Sequence, residues 1–406
     1  MKVALTYTGG TFNASVELEG SKSISNRLLI MRALSKSDFE IEHLSPSDDT
    51  QTLLGLLNSA ITICDVGAAG TTMRFLTAYF ALQPGLKILT GSERMKKRPI
   101  HILVDALRDL GADIEYKEKE GFPPLKIEGK QLSANEVHIK ADVSSQYISA
   151  LMMIAPVLHN GLTLHLEGKL SSFPYISMTL RLMQSMGIEC SISENIIRIA
   201  HGSYNAQNVH VEGDWSAASY YFSMGALSEN SKIRIHGIDE NSLQGDAVLP
   251  KIYEQLGVTT NFIDGVCELQ QTGNITSYFE YDFSNCPDLA QTVVVTCAAL
   301  GISGKFSGLE SLKIKETDRT NALATELKKF EVNFSADGNS WILKGKISNK
   351  KNVEIETYED HRMAMCFAPL ALLQPIIIND KDVVKKSYPS FWDDLVSLGF
   401  TVSSIG

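Results

Sequence analysis

The sequence predicts an α/β protein of two domains, each made of three repeated units. Two series of segments carry that prediction. Members of the first are polar loops of small or capping residues that lead into apolar helices, at residues 21–27, 69–74, 143–147, 213–217, 286–289 and 359–363. Members of the second are helical patterns that stop at Leu-Gly or a similar end, at residues 107–111, 182–187, 253–257 and 395–399, with 327–331 and 56–59 as variants. Glycine is the usual residue just past a helix end, and β-like runs such as 188–192 and 332–334 follow these stops. After a shorter first copy, each series recurs roughly every 70 residues, the size of a whole supersecondary unit. The two series also stay in phase, which chance alternation of helices and strands does not produce. Six such units exceed one ordinary domain, so they group three and three, with the boundary just before Asp214.

Composition narrows the function. The chain has 406 residues, 44% of them hydrophobic and 21% charged, with a net charge of −10. An acidic chain is a poor general binder of nucleic acid or of an anionic membrane, so any anion site must be local. The six cysteines are scattered with no C-x-x-C pair, which argues against a zinc site or a disulfide framework and fits a reducing cytoplasm. The start of the chain has no signal-peptide apolar stretch. The longest apolar stretches, near 148–158 and 363–378, are broken by Pro156, Pro369 and Pro375 and are too short to span a membrane.

The first helix start, Gly20-Ser21-Lys22-Ser23-Ile24-Ser25-Asn26-Arg27, is electrostatically odd. Gly20 ends the preceding segment, Ser21 and Ser23 are N-cap candidates, and Ile24, Leu28, Met31 and Leu34 mark a helical face. The first turn carries Lys22 and Arg27 but no acid, although a helix N-terminus is already positive. Free N–H groups, hydroxyls and two cations together make an anion site; the bland alternative is a surface helix with solvated charges.

Equivalent helix starts repeat the theme. Gly70 would let backbone approach a ligand, and Arg74 follows within a turn. Arg362 follows Asp360, a cap, and Ser144, Ser145 and Gln146 supply neutral donors. Basic loops at 94–99, 313–319 and 385–389 lead into the other helices. One such loop would suit a solvated surface; several at equivalent positions suit a ligand with several anionic groups. Asp288, otherwise a helix cap, and Glu316, otherwise a surface ion pair, become candidate base and acid in such a place. There is no Walker A pattern, Gly9-Gly10 is too short for a dinucleotide fingerprint, and His43, His101 and His361 lack metal-ligand spacing.

Six motifs make the chain resemble the 5-enolpyruvylshikimate-3-phosphate synthase family over nearly its full length. They are Gly-Ser-Lys-Ser-x-Ser-Asn-Arg at 20–27, Gly-x-Ala-Gly-Thr-x-Met-Arg at 67–74, Arg-Met-Lys-x-Arg-Pro at 94–99, Ser-Ser-Gln at 144–146, Lys-Glu-Thr-Asp-Arg at 315–319 and Asp-His-Arg-Met-Ala-Met at 360–365. The resemblance implies a two-domain inverse α/β barrel-like fold with three βαβαββ-type units per domain. Residues 1–20 with 213–406 would form one domain and 21–212 the other, with the active site in the cleft between them and closure on substrate. It implies transfer of the enolpyruvyl group of phosphoenolpyruvate to the 5-hydroxyl of shikimate-3-phosphate, through a tetrahedral intermediate, in aromatic amino acid biosynthesis. Carried over by motif, Lys22, Ser23, Arg27, Ser144, Ser145, Gln146, Ser172, Asp288, Ser311 and Lys315 would hold shikimate-3-phosphate, with Tyr175 under its ring. Lys22, Gly70, Arg98, Gln146, Arg319, Arg362 and Lys386 would hold phosphoenolpyruvate, with Arg74 in support. Asp288 would take the hydroxyl proton, and Glu316, helped by Lys22, would protonate the methylene carbon. No metal or organic cofactor is implied, and the expectation is a cytoplasmic monomer without nucleic-acid or membrane partners.

Three positions depart from the family pattern. Ala68 and Ser311 stand where the family commonly has Asn, and Phe75 where it has Pro. The first and third remove an amide, so a hydrogen bond passes to water or is lost; Phe75 bears on the helix carrying Thr71 and Arg74. All three bear on substrate affinity and on sensitivity to glyphosate, a competitor of phosphoenolpyruvate, whereas the retained Gly70 favours sensitivity. The rival within the fold is UDP-N-acetylglucosamine enolpyruvyl transferase, which usually has Asn after the first Lys, where this chain has Ser23, and a reactive loop Cys. From another class, the rival is a non-catalytic anion-binding protein on the same scaffold.

Overall fold

The computed structural model describes residues 1–35, 37–141, 144–168, 172–350 and 353–405. Val143, in one of the predicted helix-start loops, lies outside them. The chain divides into two compact units, Ser21–Val211 and the pair of segments Met1–Gly20 and Glu212–Gly406.

Among the described residues there are twelve α-helices. The Ser21–Val211 unit holds α1 (Lys22–Leu34), α2 (Asp48–Leu57), α3 (Gly70–Phe80), α4 (His101–Asp109), α5 (Ser145–Ile154) and α6 (Phe173–Ser185). The other unit holds α7 (Trp215–Leu227), α8 (Leu249–Glu254), α9 (Ala290–Leu300), α10 (Arg319–Lys328), α11 (His361–Phe367) and α12 (Phe391–Ser397). Odd-numbered helices begin at the loops of the first sequence series, and even-numbered helices end near the stops of the second.

Five of the six helix pairs go with a four-stranded sheet of one pattern. With α3 and α4 the strands are Ile63–Asp65, Gly85–Thr90, Asp113–Tyr116 and Leu125–Gly129. The first runs parallel to the second, and the last is antiparallel to both the second and the third. This is the βαβαββ order, and it recurs with α5 and α6 and with α9 and α10. Two copies are assembled from distant chain. The α7–α8 sheet takes its first strand from Asn13–Glu17, so the whole Ser21–Val211 unit is inserted between that strand and its helix. The α11–α12 sheet takes its last strand from Lys2–Tyr7 at the start of the chain. The α1–α2 pair departs from the expected plan: among the described residues it has only Ile41–Glu42 paired in parallel with Val209–His210.

Burial separates the two kinds of helix. Every residue of α5 except Gln146, every residue of α7 except Ser216, and all of α11 are buried. A helix apolar around its whole circumference belongs in a core. The strands instead alternate: Glu136–Lys140 buries Val137 and Ile139 while Glu136, His138 and Lys140 face solvent. In each unit, therefore, helices fill the inside and sheets cover them, and each fully buried Ile, Leu or Phe contributes roughly 1.5–3 kcal/mol of hydrophobic stabilisation. The one-sided face expected for α1 is a correction. Residues 24–31 are all buried, Ser25, Asn26 and Arg27 included, while Leu34 is half-exposed. The polar groups survive there because the Ser25 hydroxyl accepts from the Ser45 N–H at 3.0 Å and Asn26 Oδ1 from the Thr50 hydroxyl at 2.8 Å. Among the described residues no helix is long and apolar enough to cross a membrane.

Candidate active site

In the Ser21–Val211 unit the helix N-termini are tied to one another by side chains. Ser21 is the N-cap of α1 but makes no side-chain cap hydrogen bond. Lys22, its first residue, lies 3.2 Å from the carboxylate of Asp49 in the first turn of α2. The Thr72 hydroxyl donates to the Asp49 carbonyl at 3.0 Å, joining α3 to α2. Gln146 Nε2 donates to Thr71 Oγ1 at 3.2 Å, joining α5 to α3. Ser144 caps α5 by accepting from the Gln146 N–H at 3.3 Å, and Ser145 is buried beside it. Ser172 is the N-cap of α6 with φ 55°, a left-handed conformation.

Two arginines dominate this end of the unit. Arg27 Nε donates to Thr179 Oγ1 at 2.7 Å, while its terminal nitrogens donate to the Ser149 hydroxyl at 3.2 Å and to the carbonyls of Ser23 and Tyr175 at 2.8 and 3.3 Å. These partners are neutral, and the guanidinium stands 5.5 Å from the centroid of Phe75. Burial lowers the Arg27 pKa to about 10, so it stays cationic at neutral pH. Arg98 lies over the start of α3: a Cβ added at Gly70 would stand 2.6 Å from one of its terminal nitrogens. Its Nε is buried without a hydrogen-bond partner. Arg74 is buried beneath them and donates to the carbonyls of Gly70 and Pro99 at 3.1 and 3.2 Å. It therefore braces the backbone on which Gly70 and Arg98 sit. Of the cations in the 94–99 loop only Arg98 turns inward this far; Lys96 pairs with Glu93 and Glu118, and Lys97 is exposed.

The other unit gathers acids with its cations. Arg319, 2% exposed, bonds Asp360 at 2.7 Å, Asp288 at 2.9 Å and Glu316 at 2.9 Å. Burial alone would lower its pKa, but Asp360, Glu316 and Asp288 together carry it upward. Glu316 is also 2.9 Å from Lys386. Arg362 lies 3.0 Å from Asp288, and Lys315 Nζ lies 3.9 Å from it. Asp360 doubles as the cap of α11, accepting from the Arg362 N–H at 2.9 Å. For Asp288, burial pushes the pKa up, but Arg362, Lys315 and Arg319 outweigh it and hold the carboxyl well below the usual carboxylate range. Ser311 is half-buried in the short turn Glu310–Ile314 just before this cluster.

The structure thus places Lys22, Ser23, Arg27, Gly70, Arg74, Arg98, Ser144, Ser145, Gln146, Ser172 and Tyr175 at helix starts of one unit. It places Asp288, Ser311, Lys315, Glu316, Arg319, Arg362 and Lys386 at those of the other. Residue patterns do not single out two acids of the folded chain: Asp49, beside Lys22, and Asp246, whose carboxylate accepts from the Ser216 hydroxyl next to Arg362. Asp49 sits in a Ser-Asp-Asp helix start, where a carboxylate reads as ordinary capping, and the Gly-Asp at 245–246 carries no local signal at all. Chemically, one unit presents excess positive charge at N–H-bearing helix ends, and the other presents three carboxylates on one guanidinium.

Comparison with known proteins gives the family. Residues 7–62 and 54–395 match the family model of EPSP synthase (3-phosphoshikimate 1-carboxyvinyltransferase). The 3-phosphoshikimate 1-carboxyvinyltransferase of Bacteroides fragilis is 48% identical over 394 residues, covering 96% of each chain. That of Colwellia psychrerythraea is 36% identical over 419 residues, covering 96% of this chain and 97% of its own. The solved EPSP synthase from Acinetobacter baumannii shares the fold, with a TM-score of 0.79 at 20% identity over 99% of this chain and 100% of that one. On this sequence similarity, the chain belongs to the EPSP synthase (3-phosphoshikimate 1-carboxyvinyltransferase) family.

Proposed function

We propose that this enzyme transfers the enolpyruvyl group of phosphoenolpyruvate to the 5-hydroxyl of shikimate-3-phosphate and releases inorganic phosphate. The observation that carries the chemistry is that Arg319 bonds Asp288 and Glu316 at once, putting both candidates for proton transfer beside anion-binding cations. Arg27, Ser144, Ser145, Ser172 and Lys315 hold the phosphate and hydroxyls of shikimate-3-phosphate, with Tyr175 against its ring. Arg98, the N–H groups at Gly70, Arg319, Arg362 and Lys386 hold the phosphate and carboxylate of phosphoenolpyruvate, and Lys22 and Gln146 serve both.

The 5-hydroxyl oxygen attacks C2 of phosphoenolpyruvate as Asp288 takes its proton, and Glu316, with Lys22, gives a proton to C3. The tetrahedral adduct then loses that C3 proton to the enzyme, and the C2–O bond to phosphate breaks. A carboxylate held as low as Asp288 is a weak base. Substrate anions compete for Arg362, Lys315 and Arg319, and this raises its basicity when both substrates are bound. Fixed cations around the developing charge, and the orientation they impose, supply most of the acceleration. Phosphate release from phosphoenolpyruvate, with shikimate-3-phosphate or the UDP-sugar as acceptor, tests the reading. Release with shikimate-3-phosphate alone is expected, and release only with the UDP-sugar would overturn it.

A further inference from the structure

Asp246 lies in the short turn Gly245–Val248 ahead of α8 and is 4% exposed. Its carboxylate accepts a hydrogen bond from the hydroxyl of Ser216, in the first turn of α7. The same hydroxyl oxygen accepts from a terminal nitrogen of Arg362 at 3.3 Å. That nitrogen also stands 3.0 Å from Asp288. One N–H-bearing end of Arg362 is therefore shared between the candidate base and a hydroxyl that leads to a second, buried acid.

We propose that Asp246 is a positioning residue for the donor substrate: through Ser216 it holds Arg362 against the pull of Asp288 and sets how much of its charge remains for phosphoenolpyruvate. The argument rests on the reading of Arg362 as a phosphoenolpyruvate ligand. A serine hydroxyl has a single proton. With that proton directed at Asp246, the oxygen presents only lone pairs to the guanidinium and fixes its direction. Without an acceptor at 246 the hydroxyl is free to turn, and Arg362 relaxes towards Asp288.

The arrangement is also sensitive to pH. The groups that face Asp246 are Asp288 from the turn ahead of α9, Arg362 from α11 and Asp214 from the cap of α7, with the Cys286 thiol on the Asp288 side. Burial, reinforced by Asp288, pushes the Asp246 pKa up to about 7 against the opposing effects of Ser216 and Arg362. When Asp246 is neutral, more of the Arg362 charge is left for an anion; when it ionises, that charge is partly compensated and the donor binds more weakly.

Steady-state kinetics between roughly pH 6 and pH 9 on wild type, Asp246→Asn, Asp246→Ala, Ser216→Ala and Arg362→Lys test this. Asp246→Ala and Ser216→Ala should each raise the KM for phosphoenolpyruvate about tenfold, the effect of one lost hydrogen bond to a charged group. The KM for shikimate-3-phosphate should not follow, and the double variant should be no worse than either single one. Asp246→Asn keeps an acceptor for Ser216, so it should recover most of that loss. Dividing wild-type by Asp246→Asn values cancels the ionisation of the substrate, and this ratio should rise about threefold or more from the acid to the alkaline side. An unchanged KM for phosphoenolpyruvate in Asp246→Ala, or an equal rise for both substrates, overturns the proposal. Should Asp246→Ala not fold, a flat wild-type-to-Asn ratio overturns it. If Arg362→Lys itself leaves the KM for phosphoenolpyruvate unchanged, the reading of Arg362 fails instead.

Discussion

Replacing Gly70 by alanine separates binding from folding. Gly70 is the first residue of α3, and a Cβ there would stand 2.6, 2.9 and 3.0 Å from the two terminal nitrogens and the central carbon of the Arg98 guanidinium. Ordinary contact needs about 3.5 Å, so the guanidinium must retreat by about 1 Å. Arg98 is only 8% exposed and so cannot swing into solvent without losing its packing. A retreat of that size breaks a charge-assisted hydrogen bond to a bound anion, worth roughly 1.5–3 kcal/mol. The KM for phosphoenolpyruvate should therefore rise about 10- to 100-fold. Alanine is favoured over glycine in a helix by roughly 0.5–1 kcal/mol, which offsets part of the cost of displacing Arg98, so the melting temperature should change little. The assay is phosphate release at varied phosphoenolpyruvate and saturating shikimate-3-phosphate, beside a thermal melt. An unchanged KM with an unchanged melt would refute the placement of the donor against Gly70 and Arg98.

Three further outcomes are expected. Asp288→Asn and Glu316→Gln should each lower kcat by about 10²- to 10⁴-fold in folded protein. Asp288→Asn should leave the KM for phosphoenolpyruvate unchanged or lower, because it releases Arg362, Lys315 and Arg319; near-normal kcat in both refutes their roles. Tyr358→Phe should cost about 1–3 kcal/mol in chemical denaturation: the Tyr358 hydroxyl donates at 2.7 Å to the fully buried Glu326 and braces a loop in which Tyr358 and Glu359 both have left-handed φ, 54° and 57°, just ahead of Asp360. An unaltered denaturation midpoint would contradict that brace. Asp246 has a carboxyl raised from 3.8 to about 7 on folding; the unfolded chain loses that proton first, so its contribution to stability falls as pH rises from about 4 to about 7. Asp246→Asn should therefore gain stability on wild type across that range, by a few kcal/mol at most, and a pH-independent difference in melting would refute the shift.

Local chemistry explains what was legible in the sequence. Helix caps and glycine stops act within a few residues, so the alternation of loops and stops marked both helices of each pair. The sheet pattern was partly hidden, because Asn13–Glu17 and Lys2–Tyr7 pair with strands some 200 and 370 residues away in the chain. The same distance hid the buried polar contacts. Arg27 looked like a helix-start cation on a one-sided helix, yet its partners Thr179 and Ser149 come from α6 and α5, and residues 24–31 of α1 are all buried. Lys22 looked uncompensated because its partner Asp49 comes from the next helix. Which cation of the 94–99 loop turns inward depends on the single turn Met95–Lys97, a backbone detail below the reach of residue patterns. The motifs at 315–319 and 360–365 brought Arg319 and Asp360 to notice separately, but only the folded chain shows them bonded.

The reaction itself gives the most direct test. Phosphorus and proton nuclear magnetic resonance on enzyme with phosphoenolpyruvate and shikimate-3-phosphate should show one inorganic phosphate released for each acceptor that keeps its 3-phosphate and gains on its 5-oxygen an enolpyruvyl group, seen as a pair of vinylidene protons. No consumption of phosphoenolpyruvate under these conditions, or equal consumption with the acceptor left out, would contradict the account.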